Sequence, residues 1–178
     1  MLGARIRALR EDRGMSASQL AEATGLSQSA VSQIERGVVD PSLRSVRSIA
    51  ETLNTPIFAL FLDAPSKDIV VREGHRRSFS PPDYRGRYEL LSPDSEGKVE
   101  MIYMSIEPGT SSSEQPLPHS GDECMFVLSG KAEIVASDER FELNAGDSIY
   151  LNAGMPHTVT NVGEEDLECI VAIAPPSF

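Results

Sequence analysis

The stretch Gln19-Leu-Ala-Glu-Ala-Thr-Gly-Leu-Ser-Gln-Ser-Ala-Val-Ser-Gln-Ile-Glu-Arg-Gly37 decides the fold of the first third of the chain. Two helices that cross steeply need a small residue where they touch, and Ala21 supplies it. The turn between them needs a positive φ, which Gly25 accepts at no steric cost. Val31 and Ile34, three apart, anchor the second helix from one side. Ser16-x-x-Gln19 is a capping box that opens the first helix. Ser27 caps the second, and Gly37 closes it.

Further helices flank this core. Leu2, Ile6 and Leu9 recur at helical spacing and end at Arg13-Gly14. Asp40-Pro41-Ser42 is a turn with an N-cap, followed by an apolar face of Leu43, Val46, Ile49, Ala50 and Leu53. Thr55-Pro56 opens a short fifth helix with Phe58 and Phe61. Two helices joined by a glycine turn inside such a bundle form the arrangement of a DNA-binding helix-turn-helix, whose second helix enters the major groove. With Pro41-Ser-Leu43, the chain over residues 2–62 resembles the phage-repressor-like (XRE, or Cro/C1-type) family. That resemblance implies a five-helix lambda-repressor-like domain with double-stranded DNA as its partner.

Because Val31 and Ile34 point inward, the solvent face of the second helix should carry Gln28, Ser29, Ser32 and Gln33. A glutamine amide donates and accepts at once, which suits adenine, and serine can meet a base edge or a phosphate. By the family's pattern Gln28, Ser29 and Gln33 are the base-facing candidates. The helix N-termini at Ser16 and Ala17 and at Ser42 suit phosphates. Arg10, Arg36, Arg44 and Arg47 are candidate phosphate contacts, with solvated surface the equal alternative for Arg44 and Arg47.

The formal charge of −11 over 178 residues hides an asymmetry. Residues 1–64 hold seven Arg against seven acids and are neutral; residues 65–88 carry +3; residues 89–178 carry −14. An acidic total argues against nucleic acid as a partner. Here the acid is confined to one half, which must sit away from the phosphates, and a moderate salt dependence of DNA binding is expected.

That second half reads as strand. Short runs at Asp68 to Glu73, Tyr88 to Leu91, Lys98 to Glu107, Glu123 to Leu128, Ala132 to Ala136, Phe141 to Leu143, Ser148 to Leu151, His157 to Thr160 and Leu167 to Ile173 are mostly separated by turn residues. Many short strands indicate a sandwich or small barrel. The expected division is 1–64 helical, 65–87 a proline-containing linker that becomes an edge strand, and 88–178 all-β.

Gly109 to Asn161 resembles the two signature motifs of the cupin superfamily. His119 fills the second histidine position of the first motif, followed by Glu123 and Gly130, while Leu117 stands where the first histidine belongs. Gly146, Gly154, His157 and Asn161 match the second motif, with Asn152 in place of its proline. The resemblance implies an α + β two-domain chain ending in an all-β cupin (double-stranded β-helix, or jelly-roll) barrel. Independently of the family, two imidazoles and one carboxylate can hold a divalent cation with positions left open, and Zn, Fe, Mn and Ni all suit them. Hydrogen bonding of a ligand with no metal is the alternative. Met125 shares the parity of Glu123 and is a pocket candidate, as are Tyr103 and Tyr150. Gln115, beside Glu114, could close the pocket mouth. His75, among linker arginines, reads as surface.

The longest apolar runs, Ile57 to Leu62 and Cys169 to Ala174, are six residues each, far short of the roughly 20 of a membrane helix. No secretory apolar segment opens the sequence, so a cytoplasmic protein is expected, with Cys124 and Cys169 as buried, reduced thiols. The expected function is a homodimeric transcriptional regulator on a palindromic operator. A small molecule in the barrel, of the amino acid, carboxylic acid or polyamine class, would set its DNA affinity. The alternative is a metal-dependent cupin enzyme of dioxygenase or isomerase type with an appended DNA-binding domain, since His119, Glu123 and His157 also match the 2-His-1-carboxylate set of non-haem iron oxygenases.

Overall fold

A computed structural model describes residues 2–61, 69–82, 84–93 and 97–178. Four α-helices come first: α1 (Leu2–Asp12), α2 (Ala17–Thr24), α3 (Gln28–Glu35) and α4 (Leu43–Thr52). The expected fifth helix is a single 3₁₀ turn, Phe58–Phe61. The caps lie where the sequence puts them. Ser16 Oγ accepts from the Gln19 amide while Gln19 Oε1 accepts from the Ser16 amide. Gly25 ends α2 at φ 70°, a left-handed conformation that favours glycine. Ser27 and Ser42 cap α3 and α4 through the amides of Ala30 and Ser45. Gly3 lets α1 approach α3, since a Cβ there would lie 2.2 Å from the Ile34 carbonyl oxygen. Ile6, Leu20, Val31, Val46, Ile49 and Leu53 fill the core.

Among the described residues nine antiparallel strands follow: β1 (Arg77–Phe79), β2 (Gly86–Leu90), β3 (Glu100–Ile106), β4 (Asp122–Ser129), β5 (Lys131–Ala136), β6 (Glu139–Asn144), β7 (Ser148–Leu151), β8 (His157–Asn161) and β9 (Leu167–Ala174). They make a six-stranded sheet, β1-β2-β3-β9-β4-β7, and a three-stranded sheet, β6-β5-β8. Strict alternation in β4 and β9 turns Met125, Val127, Val171 and Ile173 inward, against Ile134 and Val159 of the smaller sheet. Asn161 is fully buried; its amide donates to the Ile106 and Glu165 carbonyls and its oxygen accepts from Gly163, tying three chain segments together.

Two expectations are corrected. The strand expected from Asp68 to Glu73 is not formed: Asp68 lies outside the described residues, 69–72 carry no regular structure, and Glu73–His75 is a 3₁₀ turn. Ile69 is 92% exposed, so this apolar run found no strand to pair with. Only Cys169 is buried; Cys124, of opposite parity to Glu123, faces outward, and both thiols are free.

The two domains share one core. Phe178 packs against Phe58 of the helical domain at 6.1 Å and against Tyr88 of the barrel at 4.6 Å, and its carbonyl accepts from the Phe58 amide. Phe61 and Phe79 make a second contact at 4.6 Å. Arg47 of α4 crosses the boundary, its Nη1 donating to the Pro118 carbonyl at 2.9 Å.

Candidate DNA-binding face and barrel cavity

The α3 face is assembled as the apolar spacing requires. Val31 and Ile34 are buried, Gln28 and Ser29 are exposed, and Ser32 and Gln33 are half-buried beside them. Ser16 is exposed at the α2 N-terminus, with Ala17 half-buried behind it, and Ser42 is half-buried at the start of α4. Arg36 and Arg44 are exposed.

The other two arginines are not at this face. Arg10 is buried, held by Glu35 through Nε at 2.6 Å and Nη2 at 3.1 Å, with Nη1 on the Met15 carbonyl at 2.6 Å. Its donors close α1 against α3, so the phosphate role expected for it is withdrawn. Arg47 is neither a phosphate contact nor solvated surface: it is buried and lines a cavity inside the barrel.

That cavity, of about 40 Å³, is lined by strands of both sheets, by the segment before β4, and by Leu43 and Arg47 of α4. His119, Glu123 and His157 converge in it. His119 Nε2 lies 2.8 Å from Glu123 Oε2, and His157 Nε2 lies 3.6 Å from the same oxygen. The ring centroids are 5.1 Å apart and nearly perpendicular. Glu123 comes from β4 and His157 from β8. His119 precedes β4 in irregular chain and is positioned by its own carbonyl, which accepts from the Gly154 amide at 2.7 Å. Gly154 adopts φ 77°, the left-handed turn that brings the chain to His157.

The donor set fits a divalent ion. Two atoms each about 2.1 Å from a metal sit roughly 3–3.5 Å apart, near the spacings here. The three ligand atoms all lie within 4.8 Å of one another. His157 Nδ1 is 2.9 Å from the Met155 carbonyl, which leaves Nε2 facing the cavity; a metal-binding imidazole is usually held in this way through its other nitrogen. Burial pushes the His157 pKa down against the pull of Glu123, favouring the neutral, ligating form.

Of the other expected pocket residues, Met125 lines the cavity. Tyr103 does not: with Ile102 and Met104 turned inward, it faces out, donating to Glu168 at 2.5 Å beneath the Arg87 guanidinium. Its partial burial and the Glu168 contact push its pKa up to about 12. Tyr150 is 60% exposed because its neighbour Leu151 takes the inward position. Gln115, with Glu114, lines a separate recess between Ser113 and Arg44. His75 is exposed, as expected.

Sequence reasoning missed Arg47 as a cavity residue. Its signal was available: Arg47 lies four residues after Leu43 and three before Ala50, on the stripe that α4 buries. Its guanidinium lies 5.4 Å from the Phe178 ring centroid, and its Nε has no hydrogen-bond partner among the described residues. Burial pulls its pKa down, opposed by Tyr88, Glu51 and Glu123. It remains a cation at neutral pH.

Residues 6–60 match the helix-turn-helix family model and residues 102–173 the cupin domain model. Over 99% of its length the chain is 25% identical to the HTH-type transcriptional regulator PuuR of Escherichia coli (strain K12), covering 96% of that protein. It is 28% identical to the HTH-type transcriptional regulator SutR of the same organism, covering 92% of this chain and 89% of that one. The chain thus carries a helix-turn-helix domain followed by a cupin domain, and along nearly its whole length it is similar to HTH-type transcriptional regulators.

The regulator's fold extends to solved structures. An HTH_3 family transcriptional regulator from Vibrio cholerae superposes with a TM-score of 0.79 at 24% identity, covering 97% of this chain and 94% of that one. Hydroxypropylphosphonic acid epoxidase from S. wedmorenis shares the two-domain fold at a TM-score of 0.51 and 21% identity, covering 97% and 96%. Among the described residues of the regulator, no helix is long and apolar enough to cross a membrane.

Proposed function

We propose that the regulator binds a palindromic operator as a homodimer through α3, and that a small molecule in the barrel cavity sets its DNA affinity. The observation that carries this reading is that α4, from the DNA-binding domain, forms part of the cavity wall. A ligand entering there touches both domains at once, so it can favour one arrangement of the helix-turn-helix over another, as any effector must. On this reading Gln28, Ser29, Ser32 and Gln33 meet bases, and the α2 and α4 N-termini meet phosphates.

A divalent ion on His119, Glu123 and His157 supplies a Lewis-acidic anchor for an oxygen or nitrogen donor of the effector. The likeness to two transcriptional regulators along nearly the whole chain favours a sensor over an enzyme, and the protein would work in the cytoplasm beside its DNA. A single α3 reads one half-site, so two must act together. Met101, Phe126, Leu128 and Tyr150, each more than a third exposed on the outer face of the six-stranded sheet, make that face the candidate contact with a second copy.

Elemental analysis of protein prepared without chelator tests the metal: close to one divalent ion per chain is expected, lost in His157→Ala. Fluorescence anisotropy with the cognate operator tests the DNA face. Wild-type affinity in the Gln28→Ala/Gln33→Ala double variant would remove α3 from the interface.

A further inference from the structure

We propose that Arg47, delivered by the DNA-binding domain, is the anion anchor of the barrel cavity, and that the cavity's ligand is a short-chain carboxylate lying between Arg47 and the His119–Glu123–His157 cluster. The proposal rests on the reading of this cavity as the effector site and names the ligand class.

The surroundings of Arg47 point to it. Arg47 is buried and forms no ion pair among the described residues. Its Nη1 is spent on the Pro118 carbonyl, its face lies against Phe178, and its Nε has no partner. A buried guanidinium donor left unmatched is costly, and a planar fork of N–H donors matches a carboxylate. Glu123, the anion lining the cavity, is committed to the two imidazoles.

Charge and size select among ligand classes. An ion on the cluster would put a second positive centre opposite Arg47, so a polyamine would face cations from both sides. The walls around them are mixed: Ser112, Ser113 and Tyr88 line the cavity too, but Ile102, Met104, Met125 and Val171 give it an apolar side. They suit a short hydrocarbon tail better than a naked inorganic anion. A water needs about 10–15 Å³, so a cavity of about 40 Å³ takes a ligand the size of a few waters.

The position of Arg47 supplies the coupling. Ser42 caps the N-terminus of α4, on the side where phosphates are expected, and Arg47 sits little more than one turn further along the same helix. A carboxylate that draws Arg47 toward the cluster pulls on the helix that also orients the DNA-binding face.

Calorimetry on the zinc-loaded full-length protein tests this, with propionate and lactate as probes and inorganic phosphate and a diamine for comparison. Propionate or lactate should bind the wild type. Arg47→Met should weaken that binding about 10- to 100-fold, and Arg47→Lys less, because a point charge keeps the attraction and loses the fork. Zinc content and circular dichroism report whether each variant is folded.

The proposal is overturned if Arg47→Met binds the probes as the wild type does. It is equally overturned if neither carboxylate binds the wild type, or if phosphate or the diamine binds more tightly than both. Anisotropy of the wild type with operator, with and without propionate, separates the two readings. Arg47-dependent propionate binding that leaves operator affinity unchanged supports the anchor while defeating the effector role of the cavity.

Discussion

Arg10 and Arg47 stand in the same helical domain, each buried and each close to an aromatic or apolar core, yet their surroundings differ in kind. Arg10 is closed on every side: a carboxylate takes two of its nitrogens and a carbonyl the third. Arg47 has one carbonyl, the face of a phenyl ring and an unmatched Nε. The first is a finished structural joint between α1 and α3. The second is a charge whose counterpart is not supplied by the described chain. A buried cation therefore reports a ligand only after its partners have been counted.

The largest loss of stability from a substitution should come from breaking the finished joint. Arg10→Met leaves the Glu35 carboxylate buried without its cation, which costs about 3 kcal/mol. In a chain of this length that lowers the unfolding midpoint by roughly 6–12 °C, readable by calorimetry or circular dichroism. A shift under about 2 °C would mean that water replaces the arginine freely and that Arg10 is closed only in appearance.

The outward face gives the next effect. Replacing Gln28 or Gln33 by Ala should cost roughly 1–3 kcal/mol at the cognate operator, measured by anisotropy, and leave the unfolding midpoint in place. The two variants thus separate the domain's inward arginine from its outward glutamines: one changes stability, the others change recognition.

These contrasts also mark what could be read from the sequence. The helical half was legible because its signals are local. Ser16 with Gln19, Ser27, Ser42 and Gly25 each fix a helix end within a few residues, and the apolar spacing of Val31 and Ile34 sets which face remains for DNA. The barrel strands were legible by alternation, and the His119, Glu123 and His157 convergence by motif spacing. Side-chain direction was legible only beside a residue of known parity. Met125 followed from Glu123, whereas Tyr103 and Tyr150 had no such anchor and turned outward. The contact between domains was not legible, because it is made by Phe178 and Phe58 across the whole length of the chain. Arg47 lies on the apolar stripe of α4, but a cation on a helix reads as solvated until a second domain covers it.

Glu100 lies between the two arginines in completeness. It is fully buried on β3, its Oε2 accepts from the Phe178 amide, and its Oε1 is unmatched among the described residues. Burial raises its pKa to about 8, against the opposing hydrogen bonds from the backbone at Phe178 and Ser177. The unfolded carboxyl titrates near its ordinary value of about 4.3, so between there and pH 8 the folded state holds a proton that the unfolded state has lost. The stabilisation is complete below that range and is lost as pH rises through 8, at up to about 1.4 kcal/mol per pH unit. Unfolding midpoints should fall from pH 5 to pH 8 in the wild type. Glu100→Gln should flatten that slope, and an unchanged slope would assign it to other groups.

The smallest effect is expected at the second buried arginine. Replacing Arg47 by Met removes a desolvated cation and one hydrogen bond to Pro118, and restores an apolar chain of similar reach beside Leu43 and Phe178. Exchanging a buried charge for a packed hydrophobe is often neutral or stabilising, and here no carboxylate among the described residues is left behind to be penalised. Arg47→Met should therefore move the unfolding midpoint by no more than about 3 °C, in either direction, a change of about 1 kcal/mol. The contrast with Arg10→Met is the informative quantity, because both substitutions remove the same side chain from comparable depth. Added propionate should raise the midpoint of the wild type by linkage and leave that of Arg47→Met where it was. If Arg47→Met is instead as destabilising as Arg10→Met, then Arg47 is a structural joint whose partners are complete, and the difference between the two arginines disappears.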